Sequence, residues 1–215
     1  DALNQAILSR RDDLIRLTQD LIRIPTLNPP GRHYRDICDY LAARFSAQGW
    51  RCRLVRAHGT PGDSAEFPRW NLIASHDSGR PGECVHFNSH HDVVEIGHGW
   101  SRDPFGAELD GDRIYGRGAC DMKGGLAAMV AAAIRYRREN PQAPGSIAFL
   151  VTGDEEGPAV NGTVKLLAWA HERGERFDHC ILGEPTNPAA LGDAFKIGTR
   201  CRPISALNEA HGIAG

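Results

Sequence analysis

The chain has 215 residues, 41% of them hydrophobic and 24% charged, with a formal net charge of −2. That length can bury the full core of one domain, and the near-neutral balance excludes an electrostatic nucleic-acid binder, which carries a basic excess. No apolar run approaches a membrane span and no signal peptide opens the chain, so a cytoplasmic protein with no membrane partner is expected.

The start at Asp1-Ala2, without methionine, points to a trimmed N-terminus. Leu3, Ile7, Leu14, Leu17 and Leu21 recur at helical spacing, and the helix they predict stops at Pro25. Thr26 to Gly31 is a loop. A second helix is expected from about His33, with Ile37, Leu41 and Phe45 on one face and Gly49 as its stop. Trp50, Cys52 and Leu54 alternate as in a half-buried strand, and Trp70 to Ser75 is a further strand after a polar loop.

Cys84 to Asn88 reads as a short strand running into Ser89-His90-His91-Asp92. Val94 to Ala107 is loop-like, and Asp110-Gly111 is the strongest hairpin signal in the chain. Tyr115-Gly116-Arg117-Gly118 leads to Asp121, then an alanine-rich helix from about Lys123 to Glu139. Ile147 to Thr152 is a strand, Val164 to Arg173 a helix and His179 to Leu182 a strand. This alternation predicts a layered α/β domain with a largely parallel sheet. The six cysteines are scattered without a Cys-x-x-Cys pair, which suits reduced thiols rather than a disulfide framework.

In open α/β sheets ligands bind beyond the carboxyl ends of the strands. The predicted strands end at His90 and Asp92, at Asp154-Glu155-Glu156, and at Glu184, while Asp121 opens the long helix on the same rim. Three consecutive carboxylates after a buried strand are costly unless a cation compensates them. Imidazole with carboxylates suits zinc, and a carboxylate such as Asp121 can bridge two ions. Asp92, two residues after His90 in extended backbone, shares its face and can orient the imidazole from behind. Of Glu155 and Glu156, one can bind metal while the other reaches an activated water. Gly116-x-Gly118 lacks the third glycine of a dinucleotide fingerprint, and Asp121 in that place would repel phosphate, which argues against a nucleotide-binding protein. His86, His91, His98 and His179 have no assigned role beyond structure.

Ser89-His90-His91-Asp92-Val93-Val94 resembles the Gly-His-Thr-Asp-Val-Val block of the dinuclear-zinc deacylases and peptidases that include acetylornithine deacetylase and succinyl-diaminopimelate desuccinylase. Asp103-Pro104-Phe105, Tyr115 to Gly125, Thr152 to Gly157 and Gly183-Glu184-Pro185-Thr186 resemble the family's later blocks, in order. The resemblance implies a layered α/β/α zinc-hydrolase catalytic domain with a mainly parallel central sheet. It implies two Zn2+ ions, with Co2+ as a possible substitute. Asp121 would bridge them, His90 and Glu184 would bind one, and Glu156 the other. Glu155 would be the general acid/base and Asp92 would support His90. Glutamate at position 184 is what the deacylase and carboxypeptidase branch carries.

The implied activity is hydrolysis of the amide bond of an N-acylated amino acid or related amine, with water ionised at the zincs and Glu155 as base. The implied partner is that small-molecule substrate, and the full-length protein would be a homodimer. Residues 1–198 are then expected to form the N-terminal part of the catalytic domain and 199–215 the divergent start of a lid and dimerisation domain. The final histidine ligand of the second zinc is expected beyond Gly215. The competing expectation is a truncated, non-catalytic fragment that binds at most one zinc.

Overall fold

The computed structural model of the chain describes residues 11–59 and 61–186. The elements are α1 (Arg11–Arg23), α2 (Tyr34–Ser46), β1 (Arg51–Arg56), β2 (Trp70–Asp77), β3 (Cys84–His90), β4 (Glu108–Asp110), β5 (Arg113–Tyr115), α3 (Gly124–Glu139), β6 (Ser146–Thr152), α4 (Thr163–Glu172) and β7 (His179–Leu182). The expected helix start at Leu3 and Ile7, and the expected domain boundary at residue 198, lie outside the described residues.

Five strands form one sheet in the order β1-β2-β6-β3-β7, and β4 and β5 form a separate hairpin at Asp110-Gly111. The ladders β6/β3 and β3/β7 are parallel, whereas β1/β2 and β2/β6 are antiparallel. Only β2 therefore runs against the other strands, so the mainly parallel expectation holds by strand direction.

The sequence of β6 explains its place near the centre of the sheet. Every residue of Ile147 to Thr152 is buried, and a strand apolar on both sides must be covered on both faces. Ile147, Phe149 and Val151 face one way and join Leu17 and Leu21 of α1, Ile37, Leu41 and Phe45 of α2, and Leu126 and Val130 of α3. Ala148 and Leu150 face the other way and pack with Ile73 and with Leu166 of α4. The result is helix, sheet, helix: three layers. Phe149 is at the centre, with ring centroids 4.7 Å from Phe87 and 5.0 Å from Phe45.

The long helix begins at Gly124, after an irregular turn over Ala119–Lys123. Asp121 (φ −119°, ψ 99°) and Met122 (φ −130°, ψ 27°) are not helical, and the peptide between them is cis. Asp121 thus leaves the helix path that periodicity assigns to its neighbours. Among the described residues no helix is long and apolar enough to cross a membrane.

Candidate metal centre

Parallel strands bring their carboxyl ends to one edge. His90, the last residue of β3, lies beside Thr152 of β6 in register, and Asn88 lies beside Leu182 of β7. Glu184, two residues beyond Leu182, therefore comes level with His90. Asp121 arrives from the irregular turn, which Gly118 enters at φ 80°. A Cβ on Gly118 would lie 2.5 Å from Cγ1 of Val93, so both the conformation and the close approach require glycine there.

His90 is the hub. Its Nε2 is 3.0 Å from Asp121 Oδ1, 3.5 Å from Glu184 Oε1 and 3.9 Å from Glu155 Oε2. Its Nδ1 is 3.0 Å from the Asp92 carbonyl oxygen and 3.4 Å from Asp92 Oδ1. Two sets of ligand atoms lie within 4.8 Å of one another: His90 with Asp121 and Glu184, and His90 with Glu155 and Glu156. The six residues singled out in the sequence are thus brought together. Asp121 and Glu156 do not share a set, although Asp121 is the largest charge influence on Glu156.

The electrostatics are those of a site with too much negative charge. Burial opposes a proton on His90, but the Asp92 and Glu184 carboxylates outweigh it and push the imidazole up to about 11. Burial raises Glu155 above the usual carboxylate range, with Glu184, Asp92 and Asp121 adding to the effect and His90 opposing it. Burial likewise raises Glu156, reinforced by Asp121 and Glu155 against His90. One imidazole faces five acids, and the chain holds no second buried cation against Nε2 among the described residues. A nitrogen and several carboxylate oxygens gathered around such a deficit fit a divalent metal of the zinc type.

Asp92 ties the cluster together. It is fully buried, and its oxygens accept the backbone N–H groups of Glu155 (3.3 Å) and Glu156 (3.1 Å) and the Asn28 amide (2.9 Å). Burial works against its charge, but the His90 contact, the neighbouring imidazoles and the Asn28 amide hold it below the usual carboxylate range. Asp92 therefore orients the imidazole, through its carbonyl oxygen and the charge beside it, and its carboxylate fixes the loop bearing both glutamates. Asp154, the first acid of that run, is turned instead to the loop over residues 160–161. It is fully buried and accepts from Val160 N (2.9 Å), Asn161 N (3.0 Å) and Asn161 Nδ2 (3.1 Å).

His91 points into the protein, with Nε2 3.1 Å from the Trp70 carbonyl oxygen and its ring edge-on to Tyr34 at 4.6 Å. Burial lowers it to about 4, against the Asp92 charge. Because the unfolded imidazole titrates near 6.5, only the unfolded state takes up this proton between about pH 6.5 and about pH 4. Stability should fall by roughly 3 kcal/mol over that window on account of His91, then level off. Denaturant melts of His91→Thr should lack this acid-side slope, and an unchanged slope would show that the buried ring protonates in place.

Sequence reasoning missed Asn28, Tyr34, Arg69 and Lys123. Lys123 is fully buried, its ammonium donating to the Ile24 carbonyl oxygen at 2.7 Å, and burial lowers it to about 7 despite Asp92. Nothing local marks these residues. Asn28 stands in a proline loop, Arg69 ends a polar loop, and Lys123 reads as an ordinary helix-start residue.

A three-layer α/β domain with an imidazole–carboxylate cluster at the carboxyl edge of its sheet defines a class of metal-site proteins. Within that class the family model described as Peptidase family M20/M25/M40 matches residues 86–206, more than half of the chain, and the chain belongs to this family. The succinyl-diaminopimelate desuccinylase of Methylobacterium radiotolerans is 50% identical over 193 residues, covering 88% of this chain and 46% of that protein. The protein of the same name from Methylobacterium nodulans is 48% identical over 206 residues, 94% of this chain and 49% of that one. The chain thus spans about half the length of the curated relatives it matches. Human carnosine dipeptidase 1 has a similar fold, with a TM-score of 0.68 at 24% identity over 83% of this chain and 39% of that structure.

Proposed function

We propose that the chain is the N-terminal part of a zinc-dependent amide hydrolase that removes the acyl group from an N-acylated amino acid, with an N-succinyl-diamino acid as the leading substrate. The observation that carries this reading is the convergence of Asp121, Glu184 and Glu155 on one buried imidazole, His90, within 3.9 Å. The names of the desuccinylase relatives support the choice of acyl group.

His90, Asp121 and Glu184 would hold one zinc, and Glu156 with Asp121 would contribute to a second. When bound, zinc polarises an amide carbonyl and makes a nearby water more acidic. The remaining chemistry belongs to Glu155. Its side chain is half exposed at the mouth of the cluster, so it can meet both solvent and substrate. It takes the proton of the attacking water and delivers it to the departing amine, giving a carboxylic acid and a free amine. Asp92 holds Glu155 and His90 in a fixed mutual position throughout. Cys38, Cys52, Cys84 and Cys120, free thiols among the described residues, support a cytoplasmic location, and homodimerisation belongs to the same reading.

The test combines metal uptake with turnover. The Asp92 and Glu184 carboxylates favour a proton on the metal-free His90 imidazole, so a metal that binds there at neutral pH displaces it. Zinc affinity, measured by chelator competition, should therefore tighten about tenfold per pH unit near neutrality. A pH-independent affinity would show that His90 is already neutral before metal binds, and failure to take up zinc overturns the reading. With zinc bound, N-succinyl-diaminopimelate should be hydrolysed in preference to N-acetylornithine.

A further inference from the structure

We propose that Asn28 and Arg69 are positioning residues of this centre, acting on His90, Glu155 and Glu156 through Asp92. The inference rests on the metal-centre reading above and assigns it two residues from loops remote in sequence.

Arg69 is only 5% exposed, and a buried guanidinium needs its donors satisfied. Its Nε donates to the Gly62 carbonyl oxygen at 2.9 Å, and its Nη1 donates to Asn28 Oδ1 and to the Tyr34 hydroxyl, both at 3.2 Å. The charge also lies over the Tyr34 ring, 5.3 Å from its centroid. A guanidinium can only donate, so the side of Asn28 that meets it must be the amide oxygen. That choice fixes which way Asn28 faces. Its NH2 group is turned onto Asp92 Oδ2 at 2.9 Å, with a longer 3.4 Å contact to Asp154 Oδ1.

Asp92 Oδ2 also accepts the Glu156 N–H, while Oδ1 accepts the Glu155 N–H and lies 3.4 Å from His90 Nδ1. The chain of constraint runs from arginine to amide to carboxylate, and from there to the imidazole and both glutamates. Turning the Asp92 carboxylate would release both glutamate N–H groups and take the charge away from His90 Nδ1. With Asn28 locked by Arg69, that rotation costs two charge-assisted contacts.

The backbone leaves room for this arrangement at three separate loops. A Cβ on Gly31 would collide with Arg69 Nη1, one on Gly62 would lie 2.6 Å from Arg69 Nη2, and one on Gly157 would lie 2.6 Å from Asn28 Nδ2. Glycines from the loops after α1, after β1 and after β6 are thus fitted around these two side chains.

The experiment uses the intact protein carrying this chain, with Asn28→Leu, Arg69→Met and Arg69→Lys. Zinc affinity is read by chelator competition, thermal stability in parallel, and kcat and KM at saturating zinc. Zinc should bind about 10- to 100-fold more weakly in Asn28→Leu and Arg69→Met, with kcat falling by a similar factor and KM nearly unchanged. Arg69→Lys keeps a cationic side chain but lacks the planar fork, and should lose about tenfold in affinity. Zinc affinity and kcat unchanged in Asn28→Leu and Arg69→Lys, with only the melting temperature lowered, would overturn the inference alone. Absence of zinc binding by the wild-type protein would overturn the functional reading and this inference with it.

Discussion

Glu155→Gln is expected to leave zinc uptake intact while lowering turnover on the order of 10²–10⁴-fold, the range a positioned proton carrier contributes. The substitution keeps the shape of the side chain and removes only its ability to take a proton. Its backbone N–H to Asp92 is untouched, and the side chain is half exposed, so the fold has no reason to change. KM should move little, because the missing interaction belongs to the transition state rather than to substrate binding. The comparison is single-turnover hydrolysis by wild type and variant at matched zinc content. Turnover within tenfold of wild type would take the proton-carrier role away from Glu155.

Asp92→Ala has the largest expected effect on the protein itself. The fully buried carboxylate accepts two backbone N–H groups and one side-chain amide, and faces the imidazole. Removing it leaves those donors without partners and the acid run after β6 without its anchor. A loss of about 3–5 kcal/mol is expected, the scale for breaking a buried charged network from one side. Zinc affinity should fall about 10- to 100-fold as well. The sign with pH follows from the lowered carboxyl. Its contribution is present above the ordinary value of 3.8 and is lost only as pH falls through the lower folded value. Denaturant melts near neutrality should therefore separate wild type from Asp92→Ala clearly, and the gap should narrow in strong acid. An equal stability at pH 7 would show that the loop over residues 153–157 holds without this carboxylate.

The site was legible because its residues sit where strands stop. An apolar run that ends in acids, as Val151-Thr152-Gly153 does before Asp154, Glu155 and Glu156, announces a rim position from local order alone. The same holds for His90 after Cys84 to Ser89 and for Glu184 after His179 to Leu182. The roles were assigned to Glu155 and Glu156 and not to Asp154 from the sequence, and the full burial of Asp154 against the partial exposure of its two neighbours gives that division a physical reason.

The sequence places the start of the long helix at about Lys123, within one residue of α3, and Asp121 before it; what spacing leaves open is that the Asp121 backbone is extended. Reaching His90 Nε2 at 3.0 Å matters there more than propensity, and Gly118 gives the chain the bend it needs.

By itself the sequence determined the order of helices and strands, the layered α/β class and the set of acids and histidine at the sheet edge. Each is written in local periodicity or in the residues that end an element. Only the tertiary structure decided that β2 runs against its neighbours, that Asp92 anchors both glutamates, and that Asn28 and Arg69 stand behind it. Strand direction and buried hydrogen bonds join residues 41 and 64 positions apart. No pattern along the chain encodes such pairs, because their partners are chosen by packing in three dimensions rather than by spacing.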